Sequence, residues 1–148
     1  MITDGRTLVV TADGGRARLF EEARHGGPLT EHAEWLEGLA PQVFPHRGSA
    51  AVHDRMGHAT HGASRITAAD KSARAFLIQL TARLERLIAA YRFDHLIVFA
   101  PPRALGLLRH ALPEALRQRL ACDQAHDRVD ADAEVLREAV RALRRGAA

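Results

Sequence analysis

The chain has 148 residues, 47% of them hydrophobic and 26% charged, with a formal net charge of +3. This length supports one domain with its own core, and the composition is that of a folded chain rather than a disordered one. Cys122 is the only cysteine, which excludes an intramolecular disulfide and an all-thiolate metal site and points to a reducing compartment. Met1–Arg6 lacks a basic segment leading into an apolar run, and no apolar run nears the ~18 residues that cross a bilayer. The expectation is a cytoplasmic protein without membrane contact.

Thr7 to Asp13 is short, apolar and β-branched, and reads as a buried strand. Arg16 to Glu21 alternates between faces, and Gly14-Gly15 between the two runs predicts an N-terminal β-hairpin with a type I′ turn. After Gly26-Gly27-Pro28, Leu29 to Leu36 reads as a third antiparallel strand containing Trp35. From about residue 44 to 66 periodicity disappears, and the composition predicts a flexible basic loop. Thr67-Ala68-Ala69-Asp70 has capping-box form and opens a helix with Phe76, Leu77, Leu80, Leu84, Leu87, Ile88 and Tyr91 on one stripe. His95 to Ala100 is a continuous apolar strand, of the kind covered on both faces. Arg103 to Leu112, a further turn after Pro113, a weaker strand over Leu120 to Ala125 and an amphipathic helix over Asp132 to Arg145 complete the order. That order predicts a single α/β domain over 1–148, with one mixed sheet flanked by helices.

Charge is unevenly placed. Residues 1–43 carry four arginines against seven carboxylates, whereas residues 44–74 carry five basic side chains against two aspartates. Arg47, Arg55, Arg65, Lys71 and Arg74 make the middle of the chain a candidate phosphate-binding arm. Arg16 and Arg18 on the hairpin, and Arg103 after the strand His95 to Ala100, add guanidiniums at strand ends.

The motifs that carry chemistry are sparse. Gly14-Gly15 opens onto a strand rather than a helix N-terminus, so it turns the chain instead of cradling a phosphate. His46, His53, His58 and His61 lie in the unpatterned segment without an H-E-x-x-H or Cys-His frame, and no metal site is assigned to them. Asp13 at a strand end suits a carboxylate pair for Mg²⁺ or, more simply, a cap on its own turn. Asp94, Asp123 and Asp127 are the other carboxylates such a pair would draw on. Pro101-Pro102 removes two backbone donors where a phosphate would seek them and suits a helix start. Cys122 falls in a strand and reads as a buried, inert thiol.

Ala12-Asp13-Gly14 with Ala17-Arg18, and Ala100-Pro101-Pro102-Arg103 with Leu105-Gly106 and Leu108-Arg109, resemble the bacterial host attachment protein family across almost the whole chain. That family is grouped with relatives of the central, ribonuclease-H-like domain of archaeo-eukaryotic peptide-chain release factors. The resemblance implies a ribonuclease-H-like sandwich and partners in translation, the ribosome or tRNA. The chain departs from the family at His126-Asp127-Arg128-Val129, where a Lys-Asp-Leu-Thr-like stretch is usual. It also has no Gly-Gly-Gln, the loop through which those release factors hydrolyse peptidyl-tRNA, so release activity is not implied.

Two classes of function follow. One is a non-catalytic, RNA-binding protein without a cofactor, using Asp13, Arg16, Arg18, Arg47, Arg55, Arg65, Lys71, Arg74 and Arg103, alone or as a homo-oligomer. The other is an enzyme, a metal-dependent nuclease or small-molecule hydrolase on the same fold. The residues favour the first.

Overall fold

Thr7–Ala12 forms β1, in which every residue is buried, and this strand is the axis of the molecule. A computed structural model describes residues 5–39 and 68–147 of the chain. β2 (Ala17–Glu22) returns antiparallel to β1, with Ala12 opposite Ala17 and Thr7 opposite Glu22. β3 (Leu29–Glu31) pairs antiparallel with β2. β4 (His95–Ala100) lies parallel to β1 on its other side, and β5 (Leu120–Ala125) lies parallel to β4. The order across the sheet is β3-β2-β1-β4-β5. β3 and β5, the less buried strands, therefore sit at edges, while the two most apolar strands, β1 and β4, lie inside, as the burial of each demands. This single mixed α/β domain is compatible with the ribonuclease-H-like expectation.

Alternation along the central strands divides the core between two faces. Leu8, Val10 and Ala12 of β1 and Leu96, Val98 and Ala100 of β4 face α1 (Ala68–Tyr91), α2 (Pro102–Ala111) and α3 (Glu114–Arg119). Val9, Ile97 and Phe99 face the other way, against Leu136 and Val140 of α4 (Ala133–Ala147). Fully burying such side chains stabilises by about 1.5–3 kcal/mol each before chain entropy is set against it.

The local signals act at the ends of elements. Pro102 occupies the first turn of α2, and Leu105 donates its N–H to the Pro101 carbonyl at 2.8 Å. Asp132 caps α4 by accepting the Val135 N–H on Oδ1 at 3.0 Å. α1 stops before Arg92, whose φ of 58° is a left-handed stop more often given to glycine. Gly5, with φ of 115°, sits where an added Cβ would lie 2.7 Å from Asp94 Oδ2. Its lack of a side chain lets the Arg6 N–H reach that carboxylate at 3.0 Å and ties the starts of β1 and β4 together.

Two local expectations are corrected. Positive φ occurs at Gly5, Gly26 and Gly38 rather than at Gly14-Gly15, because the Asp13 carboxylate closes the hairpin turn in place of a left-handed glycine pair. The third strand ends at Glu31, and Ala33–Leu36 winds into a short 3₁₀ helix. That bend carries Trp35 into the core, where it is 7% exposed and stacks on the His32 ring at 3.9 Å. A straight strand would have kept it on the face of Leu29, in the other layer of the core. The capping Thr67 and the expected loop at 44–66 lie outside the described residues.

Candidate functional site

The carboxyl ends of β1, β4 and β5 and the β1–β2 turn meet at one edge of the sheet. Asp13 organises that turn: Oδ1 accepts N–H bonds from Gly15 at 2.8 Å and from Arg16 at 2.7 Å, and Oδ2 accepts from Arg16 Nη2 at 3.2 Å. This is the turn-capping role expected of an aspartate ahead of glycines. Arg16 also reaches Asp130 Oδ1 at 3.2 Å, with 58% of its side chain exposed. Both carboxylates hold its guanidinium charged, the Asp130 hydrogen bond being the larger cause.

Arg18 is built into the frame. It pairs with Glu31 through two bonds of 3.0 and 2.8 Å and donates to the carbonyls of Val129 at 3.0 Å and Ala131 at 2.6 Å. It therefore fastens β2 to β3 and to the loop before α4. The Arg18 hydrogen bond holds the Glu31 carboxyl below its ordinary pKa, in spite of some burial.

Between these arginines and α1 opens a cavity of about 420 Å³, lined by Arg16, Ala17, Arg18, Leu36, Leu39, Phe76, Val129 and Asp130. Its wall is mostly apolar and its charged groups lie on one side, the usual form of a site for a ligand with a flat apolar body and a charged group. Phe76 comes from α1, which brings the exposed Lys71 and Arg74 on the preceding turns towards the same edge. Neither has a hydrogen-bond or ion-pair partner among the described residues. Arg103, at the start of α2, is tied to Asp70 of α1 by bonds of 2.9 Å.

Of the residues singled out in sequence, Asp13, Arg16, Arg18, Lys71, Arg74 and Arg103 thus come from elements that converge on one edge. Arg47, Arg55 and Arg65 lie outside the described residues, as do the histidines at 46, 53, 58 and 61. Asp130 and the apolar wall of Leu36, Leu39 and Phe76 were missed. Asp130 sits in the polar run Asp127–Asp132, which offers no periodic signal, and Leu36 and Leu39 join the wall only because β3 stops early.

The carboxylates considered for a metal are separately engaged. Asp94 accepts the Arg6 N–H, Asp123 accepts two bonds from Arg109 at 2.9 and 2.7 Å, and Asp127 Oδ1 accepts the Val129 N–H at 3.2 Å. No group of three or more His, Cys, Asp or Glu among the described residues is placed to hold a metal ion. Burial pushes the Cys122 thiol above its ordinary pKa, which disfavours the nucleophilic thiolate. No helix among the described residues is long and apolar enough to cross a membrane.

The family model described as "Protein required for attachment to host cells" matches residues 8–140, from the second residue of β1 to the buried Val140 of α4. The chain belongs to that family. The match spans every strand of the sheet, the cavity wall and Asp130, so the site is part of the shared domain. No curated protein matches the chain.

Proposed function

We propose that this chain is a non-catalytic binding protein that engages RNA of the translation machinery, ribosome or tRNA, through the carboxyl edge of its sheet. One observation carries the reading: an apolar cavity bordered by Arg16 and Arg18 reaches Phe76 of α1, whose first turns carry the exposed Lys71 and Arg74, with no acceptor among the described residues. An unstacked base has flat apolar faces that suit Leu36, Leu39 and Phe76, and its flanking phosphates suit Arg16, Lys71 and Arg74. The resemblance to the central domain of release factors supports the same partner class. The lack of Gly-Gly-Gln fits binding without peptidyl-tRNA hydrolysis. The family's described role in attachment to host cells would then be an indirect effect of altered translation. Nothing in the placement of Asp13, Asp94, Asp123 and Asp127 favours the nuclease reading over this one.

The test is co-sedimentation of the full chain with ribosomes over a salt series, beside a Lys71→Glu/Arg74→Glu variant. Wild type is expected to travel with ribosomes at low salt and to be released as salt rises, because phosphate contacts displace counterions. The variant is expected at the top of the gradient throughout. Wild type remaining at the top at the lowest salt, or a variant that sediments like wild type, would overturn the proposal.

A further inference from the structure

At the opposite end of the sheet, where Thr7 of β1 lies beside Glu22 of β2, α4 and the β2–β3 turn enclose a second cavity of about 460 Å³. Its lining holds Arg137, Arg141, Arg144, Arg145 and His25 against a single carboxylate, Glu22. Two of the four guanidiniums are fixed in the wall. Arg144 donates to both oxygens of the 1%-exposed Glu22, at 2.8 and 2.7 Å, and that carboxylate also accepts the Gly26 N–H at 3.0 Å. Arg137 donates to the Gly26 carbonyl through Nε at 3.3 Å and Nη2 at 3.0 Å, which leaves its charge opposed only by the 73%-exposed Glu134 at 3.8 Å.

The other two are available. Arg141 meets only Glu138, in a pair whose side chains are 46% and 63% exposed. Arg145 is exposed and has no partner among the described residues. The carboxyl end of α4 contributes about half a negative charge, small beside this excess of guanidiniums. Glu22 cannot serve as the counter-ion for them, because its charge is already matched by Arg144 inside the protein.

We propose that this second cavity is a binding site for a chain of linked phosphates, held by Arg137, Arg141 and Arg145 and backed by the fixed Arg144–Glu22 pair. The planar fork of a guanidinium matches two phosphate oxygens, and several forks spaced along one helix face suit several phosphates better than one carboxylate. The cavity exceeds what a single phosphate fills, and Val140 is the one large apolar side chain in its lining, so the phosphates rather than an apolar body would carry recognition. The site is independent of the carboxyl edge and shares no lining residue with it.

Calorimetric titration of the full chain with tripolyphosphate, and separately with ATP, tests the site. Tripolyphosphate is expected to bind at one site, more weakly as salt rises. Arg141→Ala/Arg145→Ala should lose at least tenfold in affinity, and Lys71→Glu/Arg74→Glu should match wild type. A single Arg145→Gln, which removes no contact seen within the described residues, should lose about threefold and guards against misfolding of the double variant. ATP binding more tightly than tripolyphosphate would assign the site to nucleoside polyphosphates, whereas equal or weaker binding would assign it to the bare phosphate chain. Absence of binding by both probes at low salt, or equal affinity in wild type and the arginine variants, would overturn the proposal.

Discussion

The two ends of the sheet are both rich in arginine, yet they use it differently. At the carboxyl edge, Arg16, Arg18 and Arg103 each face at least one carboxylate, and the cavity they border is walled mainly by apolar side chains. At the opposite end, one carboxylate faces four arginines, and six of the eight lining residues are Arg, Glu or His. The difference teaches that arginine count is a poor guide to binding capacity. What matters is whether a guanidinium already has a buried or bidentate partner in its own chain. Arg18 and Arg144 do, and they act as structure. Lys71, Arg74 and Arg145 have none among the described residues.

The sharpest way to break this comparison is to remove a structural arginine. Arg144→Ala leaves the Glu22 carboxylate buried without its ion partner, and the expected loss in urea unfolding at neutral pH is about 3 kcal/mol. If Arg144 were another solvated arginine, the loss would stay within about 0.5 kcal/mol.

The same pair sets a pH dependence. Burial alone would raise the Glu22 pKa, but the Arg144 hydrogen bonds and charge and the Gly26 N–H outweigh it and hold it below the ordinary value. A depressed folded-state pKa means that the unfolded chain binds the proton more readily. The pair's contribution is therefore complete above the unfolded carboxyl value of about 4.3 and is lost as pH falls through the folded value. Without Arg144, burial dominates and protonation of Glu22 relieves the strain. Urea unfolding at pH 7 and pH 4 should show the gap between wild type and Arg144→Ala narrowing in acid. A constant gap would mean that Glu22 does not carry the effect.

The smallest contrast lies between neighbours. Arg18→Ala breaks the bidentate Glu31 pair and two carbonyl contacts that bridge β2 to the loop before α4, for an expected loss of about 1–2 kcal/mol. Arg16→Ala should cost no more than about 0.5 kcal/mol, because its partners share an exposed surface. Thermal melting of the two variants under one condition checks the order. Equal losses would remove the distinction between structural and rim arginines.

Much of the fold was legible because the signals were local. The alternation of β2, the apolar run of β4, the Pro101-Pro102 helix start and the stripe of α1 each need only a few neighbouring residues to read. The assignment of helices to sheet faces was not legible, since the same stripe packs on either side. The roles of the arginines were equally hidden. Arg18 finds its carbonyl partners 111 and 113 positions away, and Arg144 finds Glu22 122 positions away. Spacing cannot reveal such pairs. They exist because β2 places Arg18 and Glu22 at opposite ends of one strand, and α4 crosses that strand's face.

The central claim is that unpartnered cations at the carboxyl edge bind RNA phosphates. Its most direct test is equilibrium titration of fluorescently labelled tRNA with the full chain over a salt series, for wild type and Lys71→Glu/Arg74→Glu. The account predicts that log affinity falls linearly with log salt for wild type, and that the variant binds more weakly with a slope shallower by about two phosphate contacts. A variant with the affinity and slope of wild type would contradict it.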